Sequence, residues 1–467
     1  MAKGKPMAGW MRVLKWLAIA LAVLVLGVAA VWLVSRMTGP GAAEREALAM
    51  IDTPSTASGR NGFAALYSLS HQVPEAEQAP VLAEDLRRFI LALPGAEGST
   101  PAWTSALQDW PRLGATSPDD PDWCGLRQAG CLERVRAAPQ LYAGLLERNA
   151  AQLDRAAALA EWDHFHSPFP PRFDTPVPAY QPLTRLVTRD AWYFVSGDVE
   201  AALAGSCAGV LQGRRLIQSG DSLIGSMIGA ALVNGNATLL ADMLAELPGD
   251  QRLPVQCGAA FASPLPAAEG VCQAMLAEGR YSTGAMRSQV GVAVAADAAG
   301  RKLPQWGARL LFDPERTAAR MAPKFAWYCG EQARELIAQD RPLRDPTPPP
   351  SRWSLACASN PVGCILADIA APAYVDYALR LQDADARLRT LAALLWLRER
   401  GGAIDATALA QVPAWMQSPS RPLLLDVDAG TLGTAVFEAR RQHANGPDGT
   451  WSVPLPGSRL QPSAEAP

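Results

Sequence analysis

A mainly α-helical chain, with a membrane-crossing N-terminal helix and a small C-terminal β-hairpin element, is predicted by three observations. The first is an uncharged apolar run of 19 residues over 16–34. The second is the recurrence of apolar residues at steps of three and four through most of 42–402. The third is a change to short strand-like runs within 403–455. The 467 residues are 49% hydrophobic and 19% charged, against about 25% charged in an ordinary soluble domain. This composition suits a packed body and excludes a disordered or collagen-like chain. The net charge of −3 leaves no basic excess, so no nucleic-acid partner is expected.

That small net charge conceals an asymmetry. Lys3, Lys5, Arg12, Lys15 and Arg36 are five of the 42 basic residues, and no acid lies among residues 1–37. The rest of the chain has 37 basic against 45 acidic residues, or −8. At 1.5 Å per residue, the run over 16–34 nearly crosses an apolar layer of about 30 Å. Trp16 and Trp32 sit near its ends, where indoles favour the membrane interface. Four basic residues before the run and one after it predict residues 1–15 in the cytoplasm and the bulk of the chain outside. The rival is a cleaved signal peptide, whose apolar region is usually about 7–15 residues; Gly41-Ala42-Ala43 would offer it a late site. The longer run favours a retained single span. The lipid bilayer is then the first expected partner and other envelope proteins the second, with the body in the periplasm of a Gram-negative cell.

The elements follow in order. Gly39-Pro40-Gly41 closes a short hinge over 35–41. Short helices are predicted over 44–51, 64–70 and 82–93, and a longer one over 139–161. Prolines 168, 170, 171, 176, 178 and 182 exclude helix from the next stretch. Asp198 opens a helix that Gly220 stops; a second carries 223–232, and Asn234-Gly235-Asn236 turns the chain into a third. Asp313-Pro314 is an N-cap acid followed by Pro at the first helical position, and Pro323 is a candidate kink. Pro372 opens the core helix of the body, which Gly401-Gly402 ends. A short helix and strands over 423–427 and 434–439 follow, with a third strand around 451–453. Residues 456–467 read as a disordered tail.

All eight cysteines lie beyond the apolar run, as expected of an exported chain in an oxidising compartment. Cys124 with Cys131 and Cys357 with Cys364 share one short spacing and predict local staples. Cys257 with Cys272, flanking a Pro-rich turn, would be the third pair, leaving Cys207 and Cys329 for a long-range bridge. Eight cysteines allow 105 pairings, and spacing alone does not choose among them.

Chemistry is harder to find. Gly220-Asp221-Ser222-Leu223 resembles the short motif of the GDSL esterases. That resemblance implies Ser222 as nucleophile on a strand-to-helix turn, with Asp163 and His166 supplying the base. Here the D-x-x-H pair precedes the serine, reversing the family order, and no α/β alternation surrounds it. The structural alternative makes Gly220 a helix end, Asp221 or Ser219 the next N-cap and Leu223 the start of an apolar stripe. His164 and His166 share one side of an extended segment and are weak candidate metal ligands, with Glu161 or Asp163 as a third. Asp426-Val427-Asp428-Ala429-Gly430 hints at a calcium loop but misses the EF-hand template. Asp383 and Asp385 are two apart on a helix and do not face each other. No phosphate-cradling motif is present, and no cofactor is expected. The expectation is therefore a non-enzymatic interaction or scaffold module of the envelope. The alternative is an envelope hydrolase, acting on glycan, peptide or ester, whose site is dispersed along the chain.

Overall fold

Helix α1 (Met7–Met37) carries apolar side chains on every face, and none of its most apolar 18-residue stretch is buried against the rest of the chain. It is long and apolar enough to cross a membrane. The structure, a computed structural model, describes residues 7–54, 57–92, 103–172, 174–290, 307, 310–348, 351, 353–370, 373–437 and 449–460.

The last carbonyls of a helix have no partner within it, and here the body supplies one. Arg316 donates to the carbonyls of Ser35, Arg36 and Thr38 at 2.7, 2.6 and 2.7 Å. Buried Ser35 donates to Ser359 Oγ at 2.8 Å and accepts from the Ser359 N–H at 3.1 Å. Arg36 pairs with Asp313 at 2.8 Å, and the Trp32 indole donates to the Leu310 carbonyl at 3.0 Å. The expected hinge over 35–41 is thus tied down through residue 38.

Three short helices follow: α2 (Ala42–Asp52), α3 (Phe63–Tyr67) and α4 (Glu75–Leu91). The last starts seven residues before its predicted position and accommodates Pro80, because Val81, Asp85 and Phe89 bury one face. Next come α5 (Cys131–Ala137) and α6 (Pro139–Ala158), the latter extended by one 3-10 turn to Glu161 as its pattern predicts. Helix α7 (Gln181–Val195) is unpredicted: Pro182 sits in its first turn, where a missing N–H costs no helical bond.

Helices α8 (Val199–Ser219) and α9 (Leu223–Ala245) form the centre of the packing. Asp198 caps α8 and Gly220, at φ 54°, ends it as expected. The predicted turn at Asn234-Gly235-Asn236 is absent, and α9 runs straight through it. Buried Asn236 donates back to the Leu232 carbonyl at 2.9 Å and lies over Gly209. The crossing itself rests on Gly213 and Gly229: a Cβ on Gly213 would lie 2.5 Å from the Gly229 carbonyl. This close approach outweighs the roughly 1 kcal/mol per glycine that a helix interior costs.

Helices α10 (Val255–Phe261) and α11 (Ala267–Ala285) are also unpredicted, while α12 (Pro314–Ala326) opens with the expected Asp313 cap. Then come α13 (Glu331–Ala338), α14 (Leu355–Ala358), α15 (Pro361–Ala370), α16 (Ala373–Arg400) and α17 (Ala406–Leu409). Helix α16 is the expected core helix, with residues 381–388 all buried and Gly401 and Gly402 at positive φ beyond its end. Its predicted opening residue, Pro372, lies outside the described residues. Helix α9 and the stretch 361–400 are also apolar enough for a membrane, but 67% and 36% of their windows are buried within the body.

Strands β1 (Leu424–Asp426), β2 (Thr431–Ala435) and β3 (Thr450–Pro454) form one antiparallel sheet in that order. Leu432 faces Val453, and Thr434 faces Trp451. Strand β2 begins three residues before its predicted position; residues 438 and 439 lie outside the described residues. The Asp426 carboxylate accepts from the Ala429 N–H at 2.8 Å, closing a turn rather than a calcium loop. The tail is ordered at least to Leu460: Gly457 and Arg459 N–H groups donate to the Leu244 and Ala245 carbonyls at 3.0 and 2.9 Å, satisfying the end of α9.

The two local disulfides, Cys124–Cys131 and Cys357–Cys364, form as expected. The other two pairings differ from the prediction: the bonds are Cys207–Cys257 and Cys272–Cys329. Cys257 lies on α10, which packs on α8, whereas Cys272 lies on α11 beside the 3-10 turn that ends at Cys329. The intervening turn separates the two cysteines onto different helices.

Candidate functional site

The turn from α8 to α9 positions the most suggestive groups. Gly220 leaves α8 in the left-handed region, and Ser222 is the N-cap of α9, accepting from the Gly225 N–H at 3.0 Å. The N-cap is thus Ser222 itself, not Asp221 or Ser219. Asp221, between them, accepts from the Ser167 N–H of the Pro-rich connection at 2.8 Å. That connection lines one side of an open cavity of about 550 Å³.

Helix α11 supplies Glu278, Tyr281 and Ser282, which the three- and four-residue spacing places on one face. Tyr374, at the start of α16, donates to Glu278 at 3.1 Å, and Ser282 donates to the same oxygen at 3.5 Å. Val177, Ile224, Met321, Leu366 and Ile369 make the apolar wall. A second lobe of about 460 Å³ shares Ser167, Asp221 and Tyr281 with the first and adds His166, Arg280 and Arg287.

Burial dominates the electrostatics. It pushes Asp221 up to about 6, against the Ser167 N–H and the Arg280 charge, which favour the carboxylate. It raises Glu278 too, and the hydrogen bonds from Tyr374 and Ser282 offset only part of the rise. Tyr281 is raised by burial and then by Asp221, and Tyr374 is held at about 12 by burial and Glu278. His166 is lowered by burial and by the neighbouring His164 and Arg280. Two carboxyls with raised affinity for protons, facing an apolar chamber, can hold hydroxyl or amine groups of a ligand.

The three residues that the esterase motif implies are each placed by other partners. Ser222 is a helix cap on a helix-to-helix turn; Asp163 is committed to the Arg60 N–H at 2.7 Å; His166 lines the second lobe, its backbone clasped by Asn61. The His164 and His166 rings lie 5.1 Å apart, and among the described residues they gather no third His, Cys, Asp or Glu as a metal ligand. Sequence reasoning missed Glu278, Tyr281 and Tyr374 as site residues, and saw Asp221 only within the esterase-like motif and as a cap. The available signal was Glu278-x-x-Tyr281-Ser282, a polar stripe on a helix that itself went unrecognised. No family model, curated protein or solved structure matches this chain, so the site stands on its own geometry.

Proposed function

We propose that the chain is a single-pass membrane protein with residues 1–15 in the cytoplasm and the body in the periplasm of a Gram-negative envelope. There it works as a non-enzymatic interaction module that binds its ligand in the cleft under the Pro-rich connection. The basic residues around α1 support the orientation. The four disulfides, all beyond α1, fit an oxidising compartment. The observation that carries the binding role is the convergence of Asp221, Glu278, Tyr281 and Tyr374 on one largely apolar cavity. Burying those carboxyls costs stability, and retaining them is the mark of a working surface.

A second reading, an envelope hydrolase, draws on the same pair: Asp221 and Glu278 would serve as general acid and base. The esterase version of it predicts that a fluorophosphonate labels Ser222 in the folded chain; on the binding reading Ser222 stays unlabelled.

The binding reading is tested with Asp221→Asn in the full chain. An aspartate whose folded pKa is raised contributes stability that is fully present below its unfolded pKa and lost as pH rises through the folded value. The variant is therefore expected to match the parent in thermal midpoint near pH 4 and to exceed it at pH 8. It is also expected to fail to restore the phenotype caused by loss of the protein. A variant that folds and restores that phenotype fully would remove the cleft from the function.

A further inference from the structure

The cavity lies close to the point where α1 leaves the body. Helices α12 and α15 both begin there: Asp313 pairs with Arg36, and Asn360 accepts from the Asp313 N–H at 2.8 Å. The cavity-lining residues Met321 and Leu366 follow on these two helices, no more than about 12 Å of helix from that point at 1.5 Å per residue. Because the Trp32 indole is bonded to Leu310 and Ser35 to Ser359, the depth of α1 in a bilayer sets the depth of this face. An indole at that end of a membrane helix sits at the interface, and the headgroup layer beyond the apolar core is itself about 5–8 Å thick on each side.

The side chains here suit such a position. Leu310, Leu311 and Leu355 are exposed beside the anchor, and Trp353 is 97% exposed. On α15, Ile365 projects outward, while Leu366 and Ile369 line the cavity. Three exposed aliphatic side chains, Val177, Ile224 and Ile369, line the cavity itself. An apolar mouth over a chamber with carboxyl and phenol groups inside is matched by a molecule with a greasy end and a polar end.

We propose that the cavity takes its ligand from the bilayer: a single-chain amphiphile, acyl or prenyl, whose hydroxyl- or amine-bearing head meets Asp221 and Glu278. It crosses the mouth formed by Val177, Ile224 and Ile369. This inference rests on the anchored reading proposed above, and the experiment separates the two.

The full chain is reconstituted in vesicles of phosphatidylethanolamine and phosphatidylglycerol doped with lysophosphatidylethanolamine, a single-chain amphiphile with an amine head whose adduct is distinguished by mass. A photo-crosslinking amino acid replaces, one at a time, Leu24 in α1, Leu366 in the cavity wall or Val255, exposed on α10. Adducts are read by mass. Lipid adducts are expected at Leu24 and Leu366 and not at Val255. Adding Ile369→Asp should lower the Leu366 adduct by about ten-fold, since a carboxylate resists burial at an apolar mouth, and leave the Leu24 adduct unchanged. Labelling at Leu24 but not Leu366 leaves the anchor standing and overturns the lipid-fed cavity. So does equal labelling at Val255, or a Leu366 adduct indifferent to Ile369→Asp. No adduct at Leu24 overturns the anchored reading, and the inference falls with it.

Discussion

Replacing Arg421 with Met is expected to lower the unfolding free energy by about 3–5 kcal/mol, the usual loss when one partner of a buried ion pair is removed. Arg421 is 3% exposed and sits between Asp383, fully buried on α16, and Asp340 at the end of α13. Its guanidinium reaches Asp383 at 2.6 Å and Asp340 at 2.6 and 2.7 Å, and it donates to the Gln382 carbonyl at 3.2 Å. Asp383 also accepts from the Phe437 N–H at 2.9 Å, so this one carboxylate joins the core helix to the segment carrying the sheet. Arg421→Met takes from that buried carboxylate a guanidinium that reaches it at 2.6 Å. The double variant Arg421→Met/Asp383→Leu should recover part of the loss, because the buried carboxylate is removed together with its cation. Urea unfolding of the full chain, followed by tryptophan fluorescence, measures both. A loss below about 1 kcal/mol, typical of an exposed pair, would show that the network contributes little.

The second large effect belongs to Cys207–Cys257. Its ends are 50 residues apart, and the chain-entropy relation assigns such a loop about 4 kcal/mol. The seven-residue separation of Cys124–Cys131 gives about 2 kcal/mol by the same relation. Cys207→Ala/Cys257→Ala should therefore destabilise the body by about twice as much as Cys124→Ala/Cys131→Ala. The comparison is made by thermal unfolding under non-reducing conditions. Equal losses would mean that the long bond, although it ties α10 to α8, constrains the unfolded chain no more than a local staple does.

Much of the architecture was legible from the residues, and the failures have physical causes. The N-terminal helix, the 139–161 helix, the Asp198 and Asp313 caps, the core helix and the C-terminal strands all follow from period, capping and composition. The turn expected at Asn234-Gly235-Asn236 did not form because Gly209, Gly213 and Gly229 let two helices meet closely enough to shelter Asn236. Helix α7 was missed because Pro182 was read as excluding helix, although its first-turn position tolerates it. The disulfide exchange between expected partners has the same root: with α10 and α11 unrecognised, Cys257 and Cys272 looked like two ends of one loop. Asp385 pairs with Arg389 one turn along the same helix, whereas Asp383 meets Arg421, a partner that only tertiary packing supplies. The cleft was illegible for a related reason. Asp221, Glu278 and Tyr374 come from three elements spread over more than 150 residues, and no spacing rule connects them.

The proposed role of α1, holding an exported body against a membrane, is open to one direct measurement of orientation. Two reporters are fused after Pro467 in the full chain, one active only outside the cytoplasm and the other only within it. Activity from the first and silence from the second are expected. Activity from the second alone would place the body in the cytoplasm and overturn the proposed topology.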